Sequence, residues 1–181
     1  DGLQFFRTAP EIEALAMEVP DTGGVVFVPA FVGLGAPHWK QNSRAAILNM
    51  TRGTNKAHIS RACLEGIALQ NCDLLQAMGV DHGTPVNRIK VDGGACKNNL
   101  LMQMQADFAG VQVVRPVHVE TTSFGAVFLA GLGAGIWQST DAIRERWLED
   151  RTFEPEVSVA HREQVLSRWA EALGRVDGFE T

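Results

Sequence analysis

The stretch that most constrains the fold is 88–109, RIKVDGGACKNNLLMQMQADFA, which reads as strand, double-glycine turn and helix. Residues 88–91 have the β-branched character of a strand entering a core. Asp92-Gly93-Gly94 signals a turn, because paired glycines open backbone angles that other residues avoid. Asn98 or Asn99 is placed to cap the helix, Leu101, Met104 and Phe108 recur at helical spacing on its buried side, and Gly110 stops it. Residues 111–115 read as a second strand, so 88–115 is a βαβ unit with a parallel pair and the chain is α/β. A strand that runs through glycines into a helix start suits an anionic group, since the backbone can approach closely and the helix dipole favours negative charge. A plain tight turn with a helix cap explains the same pattern, and on the residues alone both readings stand.

The flanking elements follow from the same signals. A short amphipathic helix is expected over 9–17, a turn over 20–24, a strand over 25–31 cut by Pro29, and a structured loop over 33–39. A second strand over 45–50 leads into the longest helix, 55–78, capped by Thr54 or Asn55 and ended by Gly79, with Ile59, Cys63, Ile67 and Leu74 toward the core. Pro116 should end the strand at 111–115, and Thr121 or Thr122 should cap a helix over 123–135. On that helix Gly125, Ala126, Ala130, Gly131, Gly133 and Ala134 leave one side nearly bare. Each interior glycine costs roughly 0.5–1 kcal/mol against alanine, so close approach of another backbone is needed to offset it, from the chain's own sheet or from a second domain at a moving joint. The tail, 139–181, is more charged and reads as two surface helices, 141–147 and 159–176, the second anchored by Leu166, Trp169 and Leu173.

Few other chemistries fit. The turn is followed by no GK[ST] and is not GxGxxG, and Glu120 lies too far along, beyond Pro116, to serve a dinucleotide ribose. Asp92 is a candidate carboxylate near a phosphate or metal, although turn aspartates usually serve structure. The five histidines lack HxxxH or HExxH spacing, Ser43 and Ser123 lack a nucleophile-elbow context, and Glu65 and Gln70 read as solvated or cap-like. No metal-ligand set and no catalytic residue is recognisable. A net charge of −5 without a Lys/Arg block argues against nucleic acid as a partner, and no apolar run is long enough to cross a membrane. Cys63, Cys72 and Cys96 form no CxxC, and free thiols point to a reducing, cytoplasmic setting. The opening DGLQFFRTAP carries neither a signal-peptide pattern nor an initiator Met, so the chain is expected to be a piece of a longer one.

Four ordered blocks add a resemblance. FVPAFVGLGAPHW at 27–39, ILNMTRGTNKAHISRACLE at 47–65, VDGGACKNNLLMQMQAD at 91–107 and ETTSFGAVFLAGLGAGIW at 120–137 resemble the C-terminal part of the FGGY carbohydrate kinase family, in particular its glycerol kinases. The resemblance is collinear over nearly the whole chain. It implies the C-terminal part of an actin/hexokinase-like (ribonuclease H-like) ATPase domain with a mixed sheet flanked by helices. Residues 1–138 would be that domain without its first strands, and 139–181 its helical tail. The implied activity is ATP-dependent phosphorylation of glycerol, with ATP and Mg2+, and with the catalytic Asp and the glycerol site in an N-terminal domain outside this sequence. Gly94 and Asn98 match nucleotide-contacting positions, Gly93 supports the turn, and Asp92 and Lys97 lie in the phosphate or metal vicinity. Gly125, Ala126 and Ala130 match the helix that packs on its counterpart across the domain hinge. The implied partners are ATP or ADP, glycerol through the missing N-terminal domain, and further copies of the chain by homo-oligomerisation or self-association; the fragment alone would be inactive. The alternatives are another FGGY sugar kinase and a non-catalytic actin-fold nucleotide-binding module. The sequence departs from the family pattern at Ala45 and Asn49, both usually Gly, and at Cys63 and Lys97.

Overall fold

The 88–115 segment folds around a parallel strand pair, as its pattern requires. In the computed structural model, which describes residues 4–177, β3 (Arg88–Lys90) pairs with β4 (Gln112–Pro116) through Arg88↔Gln112, Ile89↔Val113 and Lys90↔Val114. Parallel strands need a crossover, and here it is α3 (Asn99–Ala109), preceded by a short 3-10 helix over Gly94–Lys97. Asn98 caps α3, its Oδ1 accepting the Leu101 N–H at 2.8 Å. Gly110 ends it at φ +66, in the left-handed region where glycine carries no Cβ penalty. Leu101, Met104 and Phe108 are buried beneath the helix, together with Met102, Ala106 and the central Val113 and Val114 of β4.

Before this unit come α1 (Glu11–Ala16), β1 (Val26–Val28), β2 (Ala46–Leu48) and α2 (Lys56–His82). β1 and β2 form an antiparallel ladder, Val26↔Leu48 to Val28↔Ala46, shorter than the strands expected at 25–31 and 45–50 because Pro29 and the turns at either end interrupt pairing. Asn49, where the family prefers Gly, sits at φ +62. Asparagine tolerates that conformation better than most residues, and its side-chain amide donates to the Gly24 carbonyl at 3.0 Å. The α2 cap is Asn55, not Thr54: its Oδ1 accepts the N–H groups of Ala57 (2.9 Å) and His58 (3.2 Å).

Two expectations for α2 fail. The helix runs past Gly79 to Gly83, whose φ of +74 supplies the left-handed stop. Nor does the bulky stripe face the core: Ile67 and Leu74 are 36% and 41% exposed, while Ala57, Ala62, Leu64, Gly66, Ala68, Leu69 and Cys72 are buried. The helix packs against α1, β1 and α3 on different sides, so its apolar residues are dispersed and its small side chains take the closest approaches. Glu65 is likewise not a solvated side chain, at 14% exposed.

After β4 come α4 (Thr121–Gly133), α5 (Thr140–Arg144), β5 (Glu149–Phe153) and α6 (Val159–Val176). β4 includes Pro116, and β5, absent from the sequence reading, pairs antiparallel to it (Val113↔Phe153, Val114↔Thr152), giving a mixed sheet of order β3-β4-β5. Its residues, EDRTF, are mostly charged, and only Phe153 of the strand is buried. α6 lies as expected, with Trp169 2% exposed and its indole N–H donating to Asp73 at 2.8 Å; the same carboxylate oxygen holds the His38 Nε2 at 2.8 Å. No helix among the described residues is long and apolar enough to cross a membrane.

Candidate functional site

In a parallel pair the carboxyl ends of both strands emerge on the same edge, which is where open α/β sheets present their ligand sites. Here β3 runs out through Val91 and Asp92 into the double glycine, and β4 through Pro116 to Val119. The two exits are tied together, the Gly93 N–H donating to the Val119 carbonyl at 2.7 Å. Gly93 takes φ +80 and ψ 174, a conformation that requires glycine. A Cβ built on Gly93 or Gly94 would meet nothing within 4 Å, so no neighbouring group of the fold explains why side chains are missing there. The turn is an exposed strip of bare backbone at the edge of the sheet.

The other sequence-predicted residues surround it. Asp92 is exposed and its carboxylate accepts the Thr121 hydroxyl, which binds the turn to the start of α4. That contact replaces the helix cap expected of Thr121 or Thr122; the position before α4 is Glu120, whose side chain makes no cap bond. Lys97 is exposed at the end of the 3-10 helix and lines an open cleft of about 460 Å³ with Asn99, Arg115, His118, Glu120 and Phe124. The His118 and Phe124 rings pack against each other in the cleft wall, their centroids 5.2 Å apart. Asn98 is half-buried, its oxygen committed to the α3 cap.

Arg115 is the site residue that sequence reasoning missed; it was read only as the last residue of a strand. Its guanidinium donates to the Cys96 carbonyl (2.9 Å), the Asn99 Oδ1 (3.0 Å) and the Asp150 carboxylate (2.7 Å). A cation at the end of an otherwise apolar strand was the available signal. Cys96, buried beneath the turn, donates its thiol to the Gly93 carbonyl at 3.0 Å and so braces the turn; burial raises its pKa. Among the described residues no group of three or more His, Cys, Asp or Glu is gathered to hold a metal ion.

The hinge-expected residues are away from the sheet. Ala126 and Ala130 are exposed, Gly125 is half-buried, and Cβ atoms at Gly125 or Gly133 would meet nothing within 4 Å. Gly131 is the exception, buried under the Trp137 ring. Packing of the bare side against the chain's own sheet, one of the two readings of its composition, is therefore not found. Phe124, Val127 and Leu129 on the same helix are 38%, 60% and 71% exposed.

Comparison with known proteins gives a consistent result. Residues 6–134 match the C-terminal domain of the FGGY family of carbohydrate kinases. The chain is 52% identical over all 181 residues to the glycerol kinase of Janthinobacterium sp. (strain Marseille), spanning 36% of that protein. It is 54% identical over 175 residues to the glycerol kinase of Myxococcus xanthus (strain DK1622), covering 97% of this chain and 35% of that protein. Among solved structures, Plasmodium falciparum glycerol kinase with ADP superposes with a TM-score of 0.86 at 34% identity, over 96% of this chain and 35% of that one. A ligand-bound xylulose kinase from Lactobacillus acidophilus matches in fold alone, at a TM-score of 0.81 and 23% identity, over 98% of this chain and 37% of that one.

Proposed function

The chain belongs to the FGGY family of carbohydrate kinases, and from that membership we propose that the whole protein transfers a phosphoryl group from ATP to glycerol, this chain forming the nucleotide side of the cleft. The fold is the actin/hexokinase-like one of these kinases. The observation that carries the substrate assignment is identity above 50%, along the full length of the chain, to proteins named glycerol kinase. The xylulose kinase likeness is much weaker in sequence and supports only the shared architecture.

Phosphoryl transfer asks the protein mainly for positioning and charge stabilisation. This chain's part is to bind and orient. Gly94 lets the phosphate chain approach the backbone without a side chain between them, Gly93 holds the turn in the required conformation, and Asn98 offers its amide to the nucleotide while its oxygen caps α3. Lys97 adds positive charge at the rim. Mg2+ keeps most of its water and binds through one or two carboxylates plus substrate phosphates. Asp92 fits as an accessory carboxylate for it. The carboxylate that takes the hydroxyl proton, and the glycerol-binding groups, lie in the N-terminal portion.

The open small-residue side of α4, with Gly125, Ala126 and Ala130, is the surface on which that portion closes, excluding water from the cleft. Residues 1–138 form the kinase domain's C-terminal part and 139–181 complete it, with β5 and α6 packed on the same core. Three free cysteines, two of them buried, accord with a cytoplasmic protein, and the exposed apolar residues of α4 accord with assembly into a larger particle.

The test is to express this chain and the full-length protein separately and follow glycerol 3-phosphate formation with ATP, offering xylulose and gluconate in parallel. The expected outcome is turnover of glycerol by the full-length protein and none by this chain alone, with activity restored when the N-terminal portion is added. Turnover by the isolated chain, or preference for another sugar, refutes the proposal.

A further inference from the structure

We infer that Arg115 is a positioning residue for the nucleotide, acting through the backbone of the turn and not by touching the ligand. The inference rests on the reading of Gly94 and Asn98 given above. The Arg115 side chain is 13% exposed, and its Nε and Nη1 donors are already engaged within the chain. Nη1 reaches the Cys96 carbonyl at 2.9 Å, the Asn99 Oδ1 at 3.0 Å and, more weakly, the Lys97 carbonyl at 3.5 Å, while Nε holds Asp150 at 2.7 Å. One guanidinium therefore grips the chain on both sides of Asn98 and fixes it to β5.

The physical need for a cation there is local. The Cys96 and Lys97 carbonyls close the short 3-10 helix, and acceptors left open at a helix end favour positive charge. The first half of the turn is held by the Val119 carbonyl, the Cys96 thiol and the Asp92–Thr121 contact, whereas Gly94 offers no side chain to hold and has nothing within 4 Å of a Cβ position, so the second half depends on the grip of Arg115. The guanidinium is oriented from a second side by the Phe153 ring, 5.4 Å from its centre, and Phe153 is 2% exposed. Lysine cannot reproduce this grip, because a single ammonium does not span Asp150 and the turn in one plane. Loss of the grip leaves the strands and helices in place and lets Gly94 and Asn98 wander from the geometry the nucleotide needs.

The test uses the full-length enzyme with Arg115→Met, Arg115→Lys and Asp150→Asn, varying ATP and glycerol separately. The expected result is an ATP KM raised about tenfold in both Arg115 variants and about twofold to threefold in Asp150→Asn, with kcat at saturating ATP and glycerol KM within about twofold of the parent. A role in stability alone would lower the melting temperature and leave ATP KM unmoved, which overturns the inference. If Arg115→Met yields no soluble enzyme, Asp150→Asn decides, because the Asp150 side chain is 44% exposed: an ATP KM equal to the parent's refutes the inference. Gly94→Val is the reference variant. If it raises ATP KM while the Arg115 and Asp150 variants do not, the inference fails and the nucleotide site stands. If it too leaves ATP KM unchanged, the nucleotide reading itself has failed.

Discussion

Replacing a helix-interior glycine by alanine usually stabilises a protein by roughly 0.5–1 kcal/mol, by improving helix propensity and restricting the unfolded chain. At Gly66 the sign should reverse. The residue is buried in the middle of α2, where the helix crosses β1. A Cβ built there overlaps the Phe27 carbonyl oxygen and lies 3.3 Å from both the Phe27 carbonyl carbon and Pro29 Cδ. Those are backbone and ring atoms, not the free end of a side chain. β1 cannot retreat cheaply, because Phe27 is in register with Ile47 of β2, and α2 cannot retreat without opening its contacts to α1 and α3. Overpacking costs about 1–3 kcal/mol, and an overlap with backbone that cannot move aside lies in the upper part of that range, so Gly66→Ala should be destabilised by roughly 1–2 kcal/mol after the propensity gain is subtracted. Gly79, about three and a half turns further along the same helix, is the control: the nearest atom to a Cβ there, the Thr84 carbonyl oxygen, is at 3.5 Å, an ordinary contact. Gly79→Ala should gain a few tenths to about 1 kcal/mol. Urea unfolding of the two variants beside the parent measures both. A Gly66→Ala protein as stable as the parent would refute the claim that α2 and β1 are in backbone contact.

Burial pushes the Glu65 carboxyl up to about 7, against the opposing pull of Arg168 and Arg61. Between about pH 4.5 and 7 the folded state then binds more protons at this group than the unfolded one, so the contribution of Glu65 to stability should be fully present below pH 4.5, fall as pH rises through about 7 and level off above it, a change on the order of 3 kcal/mol. Glu65→Gln should flatten that slope in unfolding curves taken from pH 4.5 to 8; an unchanged slope would show the carboxylate is not the source. Gly94→Val should leave the unfolding free energy near the parent's, since its Cβ has open space, while raising ATP KM in the full-length enzyme with little change for glycerol. A large loss of stability instead would mean the turn is packed. Ala126→Leu and Ala130→Leu should be nearly neutral for the stability of this chain, where both residues are exposed, and should lower kcat of the full-length enzyme through overpacking of about 1–3 kcal/mol at the closing surface. Full activity of both variants would show that this side of α4 stays open.

What the sequence alone determined is what short-range chemistry controls. Asn98 and Gly110 bound α3 because caps act over three or four residues, and Leu101, Met104 and Phe108 mark its buried side because the helical period is local. The double-glycine turn, the parallel strands and α6 were legible for the same reason. What only the tertiary structure decided depends on partners distant in the chain. β5 was invisible because EDRTF has no strand-like alternation and becomes a strand only by pairing with β4. The true buried side of α2 could not be read from its bulkiest residues, because three separate elements meet it and the small ones set the distance of approach. Neither the Asp92–Thr121 contact nor the grip of Arg115 on the turn has a local signature: their partners are 29 residues apart in one case, and up to 35 in the other. Periodicity and capping act within a few residues, whereas these contacts arise where the sheet edge gathers separate segments, and that edge exists only once the chain has folded.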